Sequence, residues 1–380
     1  MVRELHPASA EAAAAEMAGT VADGETVRIV GGGTKLGWGA IGTDPRVQLH
    51  TSALDRTVEH NEGDLTAVLE SGASLEGAQR RFASAGQMLA LDPALGADHR
   101  ATIGGVIATG DSGPLEHRYG APRDLILGMT VALSDGTIAR SGGKVIKNVA
   151  GYDLAKLFCG SFGTLGLILQ VSVRLHPLPP ATATALGVAT DPNLLGRAVR
   201  AVTAAPFELE ALDVAWRGGR GGLLAQCGGT QARRRAERAG TSMREAGLGQ
   251  VEVVTDGAEL WARQRAGQRS ADAVMVRIAA RASEIARVLR AADACGGTLV
   301  GRAAVGKSYV ELEPDGLGRL AEHLPRGATV VLLDAPAHTR ETVAPWGPLP
   351  PAPLLTLMRN VKTRFDPANA CNPGVFVGGI

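Results

Sequence analysis

The chain has 380 residues, a formal net charge of +1 and 20% charged residues, which leaves no overall electrostatic footprint for nucleic acid. Its length makes two domains the natural expectation, and no apolar run approaches the roughly 18 residues of a membrane span. The four cysteines, Cys159, Cys227, Cys295 and Cys371, are widely spread without a C-x-x-C pair, which argues against a disulfide framework and a local iron–sulfur ligand run.

In chain order, Met1 to His6 lacks the apolar core of a signal peptide, so the expected location is cytoplasmic. Ala8–Ala18 is Ala/Glu-rich and predicts a helix. Val27–Val30 predicts a strand that runs into a glycine-rich loop, Gly31-Gly32-Gly33-Thr34-Lys35-Leu36-Gly37-Trp38-Gly39. Val47–Leu49 and Thr66–Glu70 predict strands, and Leu75–Ala85 an amphipathic helix. A second glycine-rich segment spans Asp92 to Gly120, with Thr102-Ile103-Gly104-Gly105 and Thr109-Gly110-Asp111-Ser112-Gly113 inside it. Leu125–Leu133 and Ile138–Ser141 flank an Asp-Gly turn, a strong hairpin signal. Lys147 to Ile168 reads as a turn at Asn148 and Gly151, then a short helix Tyr152–Phe158 with Leu154, Leu157 and Phe158 on one face. A third glycine loop, Gly160 to Gly166, follows and feeds a strand over Leu167–Leu175. Pro177-Leu178-Pro179-Pro180 marks a boundary.

Beyond it the predicted elements are helix Leu194–Thr203, strands Glu210–Ala215 and Leu223–Cys227, helix Gln231–Ala246 and strand Val251–Val254. A second unit has strand Ala273–Ile278, helix Ser283–Ala294, strands Leu299–Ala304 and Ser308–Leu312, helix Gly316–Leu324 and strand Thr329–Leu333. Strand, helix, two strands, helix, strand is the split βαβ pattern of a ferredoxin-like layer. Two such units predict one extended antiparallel sheet with helices on one face. After the Pro-rich stretch 345–353, Leu354–Arg364 predicts a helix and Asp366 to Gly374 a closing turn. Gly301 to Ser308 satisfies the G-x-x-x-x-G-K-[ST] pattern, but the mechanism needs a helix after the Lys-Ser pair. Tyr309 to Pro314 alternates like a strand, so the segment reads as a hairpin.

The chemistry lies in the glycine loops. Glycine admits close backbone approach and φ > 0, and successive N–H groups in such turns form nests that bind phosphate. The chain holds 50 Gly, roughly twice the average share. Lysine is rare, with six residues, and four of these (Lys35, Lys144, Lys147 and Lys156) lie in or beside the glycine-rich segments. A compact ammonium suits phosphate or a reduced flavin. Together these point to a flat, polar, phosphate-bearing cofactor.

The order of these motifs resembles the PCMH-type FAD-binding domain of the vanillyl-alcohol oxidase family. The residues that carry it are Gly31 to Thr34, Asp92-Pro93, Thr102 to Gly105, Gly110, Asp124 to Gly128, Leu133 to Gly136, Gly160 to Ile168, and the tail Phe365-Asp366-Pro367 with Asn372-Pro373-Gly374. Within the family, Lys147-Asn148-Val149-Ala150-Gly151-Tyr152-Asp153 and the compact length are most similar to the small FAD-binding subunit of bacterial glycolate oxidase. The resemblance implies an α+β fold. A two-subdomain FAD-binding domain would span 1–176 and a cap with ferredoxin-like repeats 181–343, while 354–380 would return to the FAD domain. It implies non-covalent FAD, because Thr34 stands where relatives carry a flavin-linking His and the second loop has no Cys. The cofactor-binding residues it implies are Gly31, Gly32, Gly33, Thr34, Lys35, Pro93, Thr102, Ile103, Gly104, Gly105, Thr109, Gly110, Ser112, Gly113 and Tyr119. Asn148, Gly151, Tyr152, Asp153, Gly163, Thr164, Gly166, Ile168 and Asn372 complete the set.

The implied partners are a larger FAD-containing glycolate oxidase subunit and an iron–sulfur subunit, through which the complex would reach the inner membrane. The cap departs from the family: where hydroxy-acid-oxidising relatives carry a His-Gly-Asp-Gly-Asn-x-His motif, this chain has Arg302 to Ser308, without His or carboxylate. His323 and His338 read as surface residues. The leading expectation is therefore an FAD-dependent oxidoreductase subunit of a glycolate or 2-hydroxy-acid dehydrogenase complex, with catalysis mainly in a partner chain, no metal, and electrons passed to the iron–sulfur partner. The alternatives are a self-sufficient FAD-dependent alcohol or hydroxy-acid oxidoreductase, with Arg263, Arg265 or Lys307 on a substrate carboxylate, and a non-catalytic structural flavoprotein subunit.

Overall fold

The computed structural model describes residues 2–42, 45–146 and 152–380. Strands β1 (Arg3–Leu5), β2 (Val27–Val30) and β3 (Val47–His50) form a parallel sheet in the order β1-β3-β2. The crossover helix Ala10–Ala22 starts where the Ser9 hydroxyl accepts from the Ala12 amide at 3.1 Å, a standard N-cap. Its inward residues Ala13, Ala14 and Met17 pack on Val27, Val47 and Leu49.

Strands β4 (Thr57–Asn61), β5 (Thr66–Glu70), β7 (Ile126–Ala132), β8 (Ile138–Gly142) and β9 (Leu167–Arg174) make an antiparallel sheet, β4-β5-β9-β7-β8. β6 (Gln87–Met88) and β10 (His176–Pro177) form a short ribbon. Both faces of β9 are apolar and used: Leu167 and Leu169 face the parallel sheet, while Ile168, Val171 and Val173 join the core beneath helices Leu75–Ser84 and Ile103–Thr109.

The eight strands β11 (Thr182–Ala189), β12 (Leu209–Arg217), β13 (Arg220–Gly228), β14 (Gly249–Val254), β15 (Val274–Ala279), β16 (Thr298–Arg302), β17 (Lys307–Leu312) and β18 (Thr329–Asp334) form one antiparallel sheet. Its order, β14-β11-β13-β12-β16-β17-β15-β18, is two split βαβ units joined through their second strands. Helices Pro192–Ala204, Ala232–Glu245, Ile285–Ala294 and Gly316–His323 supply Leu195, Val199, Met243, Leu289 and Leu320 to its core. The extended sheet expected from the sequence is present.

Three local expectations change. β11 was not expected: Thr182-Ala-Thr-Ala-Leu-Gly-Val-Ala has weak strand propensity, but pairing with β13 and β14 on its two sides overrides it. The second glycine segment contains a helix, Ile103–Thr109, because the Thr102 hydroxyl accepts from the Gly105 amide at 3.2 Å and Gly110 closes the turn at φ +62°. The apolar face expected on the Tyr152–Phe158 helix is not buried as a unit: the helix covers only Ala155–Phe158, with Phe158 buried and Leu154 and Leu157 exposed. Lys147, Asn148 and Gly151 lie outside the described residues. The Gly301 to Ser308 segment is a hairpin in which Arg302 pairs with Lys307, so no helix follows the Lys-Ser pair.

A glycine is obligatory where two chains touch. A Cβ on Gly32 would stand 1.6 Å from the Arg100 carbonyl oxygen. Gly32→Ala should therefore destabilise the protein by at least about 1–3 kcal/mol through forced backbone displacement, read from chemical denaturation; a change below a few tenths would show that the loop yields freely.

Candidate active site

A cleft opens beside the first glycine loop. Gly31, Gly32, Gly33, Thr34 and Lys35 form one wall, and Ser71, Thr102, Gly104, Gly105 and Thr109 a second. Phe162, Gly163, Gly166, Ile168 and Asn372 form a third. Strand β2 delivers the first wall, the capped helix Ile103–Thr109 the second, and the turn before β9 the third.

The first wall is a run of donors. Among the described residues, no protein acceptor takes the amide protons of Gly31 to Lys35. Unpaired backbone N–H groups away from water are costly, and consecutive ones are suited to an anion. The Ser71 hydroxyl is likewise buried without a partner. These free donors fit a dinucleotide's phosphates and polar edges.

The tail closes the cleft. The Asn372 amide group donates to the Phe162 carbonyl at 2.6 Å and its oxygen accepts from the Ile29 amide at 2.9 Å. It thereby bridges the first and third walls. Gly163, at φ +72°, has no room for a side chain: a Cβ would lie 2.7 Å from the Asn372 nitrogen. Behind it the buried Lys362 ammonium donates to the carbonyls of Thr164 and Cys371 at 2.7 and 3.0 Å and to Asp366 at 2.6 Å.

The cap seals the other side. Arg269 donates to the Thr34 carbonyl at 2.8 Å, pairs with Asp334 at 2.7 Å, and lies over the Trp38 ring at 5.2 Å. Lys35 stands 3.3 Å from Asp111, both nearly fully buried. Deeper in the seam, Arg302 is wholly buried and donates to the carbonyls of Ser112 at 2.6 Å and Gly113 at 3.1 Å. Lys307 meets Glu116 at 2.6 Å, and Ser112 donates to the same carboxylate at 2.6 Å. Despite burial, which opposes its charge, Glu116 is held below the usual carboxylate range by Lys307, while burial pulls the Lys307 ammonium down. Asp213 and Asp92 are different. Burial pushes each carboxyl up to about 7, against the pull of Arg302 on Asp213 and of Arg265 on Asp92.

The structure gathers at the cleft Gly31, Gly32, Gly33, Thr34, Lys35, Thr102, Gly104, Gly105, Thr109, Gly163, Gly166, Ile168 and Asn372 from the sequence-derived set. Others sit elsewhere. Ile103 is buried in the core. Gly110 ends the helix, and Ser112 and Gly113 belong to the cap seam, where Gly113 abuts Asp92 beside Pro93. Thr164 turns its hydroxyl to the Ser161 carbonyl. Tyr119 donates to Glu210 at 2.6 Å and packs on His176. Tyr152 is 89% exposed, and Asp153 pairs with Lys156. Arg265 faces Asp92 at 3.8 Å. Sequence reasoning missed Trp38, Arg269, Asp334 and Asp111. Their partners lie up to 296 residues away, and no local pattern announces them.

Residues 4–142 match the family described as FAD binding domain. The chain therefore carries an FAD binding domain. FAD is its cofactor, and the free donors of the cleft fit that ligand. Among curated proteins, the chain is similar to glycolate oxidase subunit GlcD of Bacillus subtilis. The two are 36% identical over 186 residues, covering 48% of this chain and 39% of that protein. Glycolate oxidase subunit GlcE of Escherichia coli is 38% identical over 125 residues, covering 33% of this chain and 35% of that one. D-lactate dehydrogenase of Archaeoglobus fulgidus is 37% identical over 147 residues, covering 39% and 32%. The matches thus span 32–39% of the length of these relatives. In structure, the chain resembles an alkyldihydroxyacetonephosphate synthase with a TM-score of 0.72 at 13% identity, over 97% of this chain and 75% of that one. The α+β fold expected from the sequence is thus that of PCMH-type flavoproteins. Among the described residues, no helix is long and apolar enough to cross a membrane.

Asp213 offers a pH test. Its folded-state pKa lies above the unfolded value, so the folded protein holds the proton more tightly. Stability falls as pH rises from about 4 to about 7, by at most about 1.4 kcal/mol per pH unit. Asp213→Asn should remove that slope, so its stability relative to the wild type climbs across this window and then levels off. Parallel pH profiles in denaturation experiments would discount the buried carboxyl.

Proposed function

We propose that this chain is the FAD-binding subunit of a glycolate or related 2-hydroxy-acid dehydrogenase complex, receiving electrons from substrate oxidation and passing them to an iron–sulfur partner. The names of the Bacillus subtilis and Escherichia coli relatives, both glycolate oxidase subunits, support this class. In the proposed mode the amides of Gly31 to Lys35 take the pyrophosphate. Thr102, Gly104, Gly105 and Thr109 flank the flavin, and Gly163, Gly166, Ile168 and Asn372 flank the adenosine side. Bound FAD supplies the two-electron acceptor; the chain supplies position and a dry wall.

The observation that carries the division of labour is the state of the cap cations. Oxidising a 2-hydroxy acid calls for a carboxylate anchor and a base for the hydroxyl proton. Arg302 is spent on two backbone carbonyls and Lys307 on Glu116. Lys307 is not free to hold a substrate, Arg302 keeps only its Nη1 without a partner among the described residues, and the cap hairpin brings no imidazole. A partner chain supplying anchor and base is the simplest completion.

Two measurements test this. The purified protein should release unmodified FAD on mild denaturation. Lys35→Ala and Asn372→Ala should each weaken flavin retention about tenfold or more, the loss of roughly one charged or buried hydrogen bond; protein that never retains flavin would overturn the reading. Second, glycolate or D-lactate should bleach the isolated chain's flavin very slowly under anaerobic conditions, since lost general-base help alone is worth about 10²–10⁴-fold. Addition of the larger flavoprotein subunit should restore fast turnover. Rapid bleaching of the isolated chain would instead favour a self-sufficient dehydrogenase, as the similarity to a D-lactate dehydrogenase suggests.

A further inference from the structure

The edge of the parallel sheet carries a second cluster. Register pairs Leu5 of β1 with Leu49 of β3. Residues two apart on a strand share a face, so Glu4 and His6 lie together, and the next position beyond the Leu5–Leu49 pair sets His6 beside His50. Their rings stack at 4.5 Å between centroids, 13° from parallel. A ring nitrogen of each histidine and a carboxylate oxygen of Glu4 all lie within 4.8 Å of one another. Among the described residues, no group hydrogen-bonds the buried Nε2 atom of His50. Leaving such a group unpaired is costly, and nothing in the folding of the sheet requires it.

We propose that Glu4, His6 and His50 form a binding site for a zinc-type divalent transition metal. Two imidazole nitrogens and one carboxylate oxygen match the donor preferences of Zn²⁺, whereas Mg²⁺ and Ca²⁺ call for oxygen donors throughout. Around a tetrahedral ion with bonds of about 2.0–2.2 Å, ligand atoms stand about 3.3–3.6 Å apart. The cluster reaches that spacing by rotating Glu4 and His6, which are exposed; His50 supplies a ring nitrogen as the third donor. Three protein ligands leave the fourth position to water. The ion would tie the short edge strand to β3. It would also sit beneath the cleft, because His50 pairs with Val30, the residue before the first glycine loop, and precedes Thr51, a cleft-lining residue.

The test is a titration of the untagged, flavin-loaded protein with zinc chloride against a chromophoric chelator. One equivalent should bind and raise the melting temperature, while magnesium chloride should do neither. His6→Ala and His50→Ala should each weaken zinc at least tenfold, with Glu4→Gln weakening it less. His6 is exposed, so its variant should keep the wild-type flavin content and zinc-free melting temperature, which separates a lost ligand from a lost fold. Absence of stoichiometric zinc binding, or binding unchanged in His6→Ala, would overturn the site whether or not the flavin reading stands.

Discussion

The buried ammonium of Lys362 is the contact on which the cleft depends. It reaches the loop before β9 through the Thr164 carbonyl and the tail through Cys371 and Asp366. Asp366 in turn accepts from the amides of Ala370 and Cys371 at 3.2 and 2.8 Å. Cys371 bridges to Val27, which starts the strand under the first glycine loop. A charge removed from water to this degree is tolerated only when fully paired. The tail is therefore held in one place, and with it Asn372, whose amide group sets the spacing between the two loops.

The cap is joined to the cleft by the same kind of chemistry. Arg302 and Lys307 come from the hairpin of the second ferredoxin-like unit and end on Ser112, Gly113 and Glu116, just past the helix that lines the cleft. Arg269 and Asp334 grip the first glycine loop around Trp38. Apolar contact reinforces the seam, where Trp38 and Phe162 meet Met275, Val300, Tyr309 and Leu333. The cap thus shields the cleft, and its cations are occupied in doing so. The joining of two units through β12 and β16 places Asp213 opposite Arg302 across the ladder, which brings the raised carboxyl into this seam.

Much of the scaffold was legible because strands such as Val27–Val30 and Thr66–Glu70 carry their own signal in β-branched and apolar residues. The order of the two ferredoxin-like units was legible from periodicity alone. β11 was not, since alanine, threonine and glycine say little until neighbours on both sides impose a ladder. The glycine loops line the cleft, but ligand approach is not all that they serve. Gly32, Gly104 and Gly113 are pressed against Arg100, Ser71 and Asp92, so packing of chain on chain demands them irrespective of a ligand. Residues that act over long sequence distances, such as Arg269 and Lys362, have no local pattern. Lys35 and Asn372, which line the cleft, are set apart in the sequence by composition and motif rather than by contact.

The bond between Asn372 and Ile29 joins residues 343 positions apart. During synthesis the first glycine loop leaves the ribosome well before the residue that closes it. The cradle therefore cannot be completed until Asn372 has emerged, however early its sheets assemble. A premature stop just ahead of Asn372 would yield a chain with nearly every strand in place and no closed site to fill.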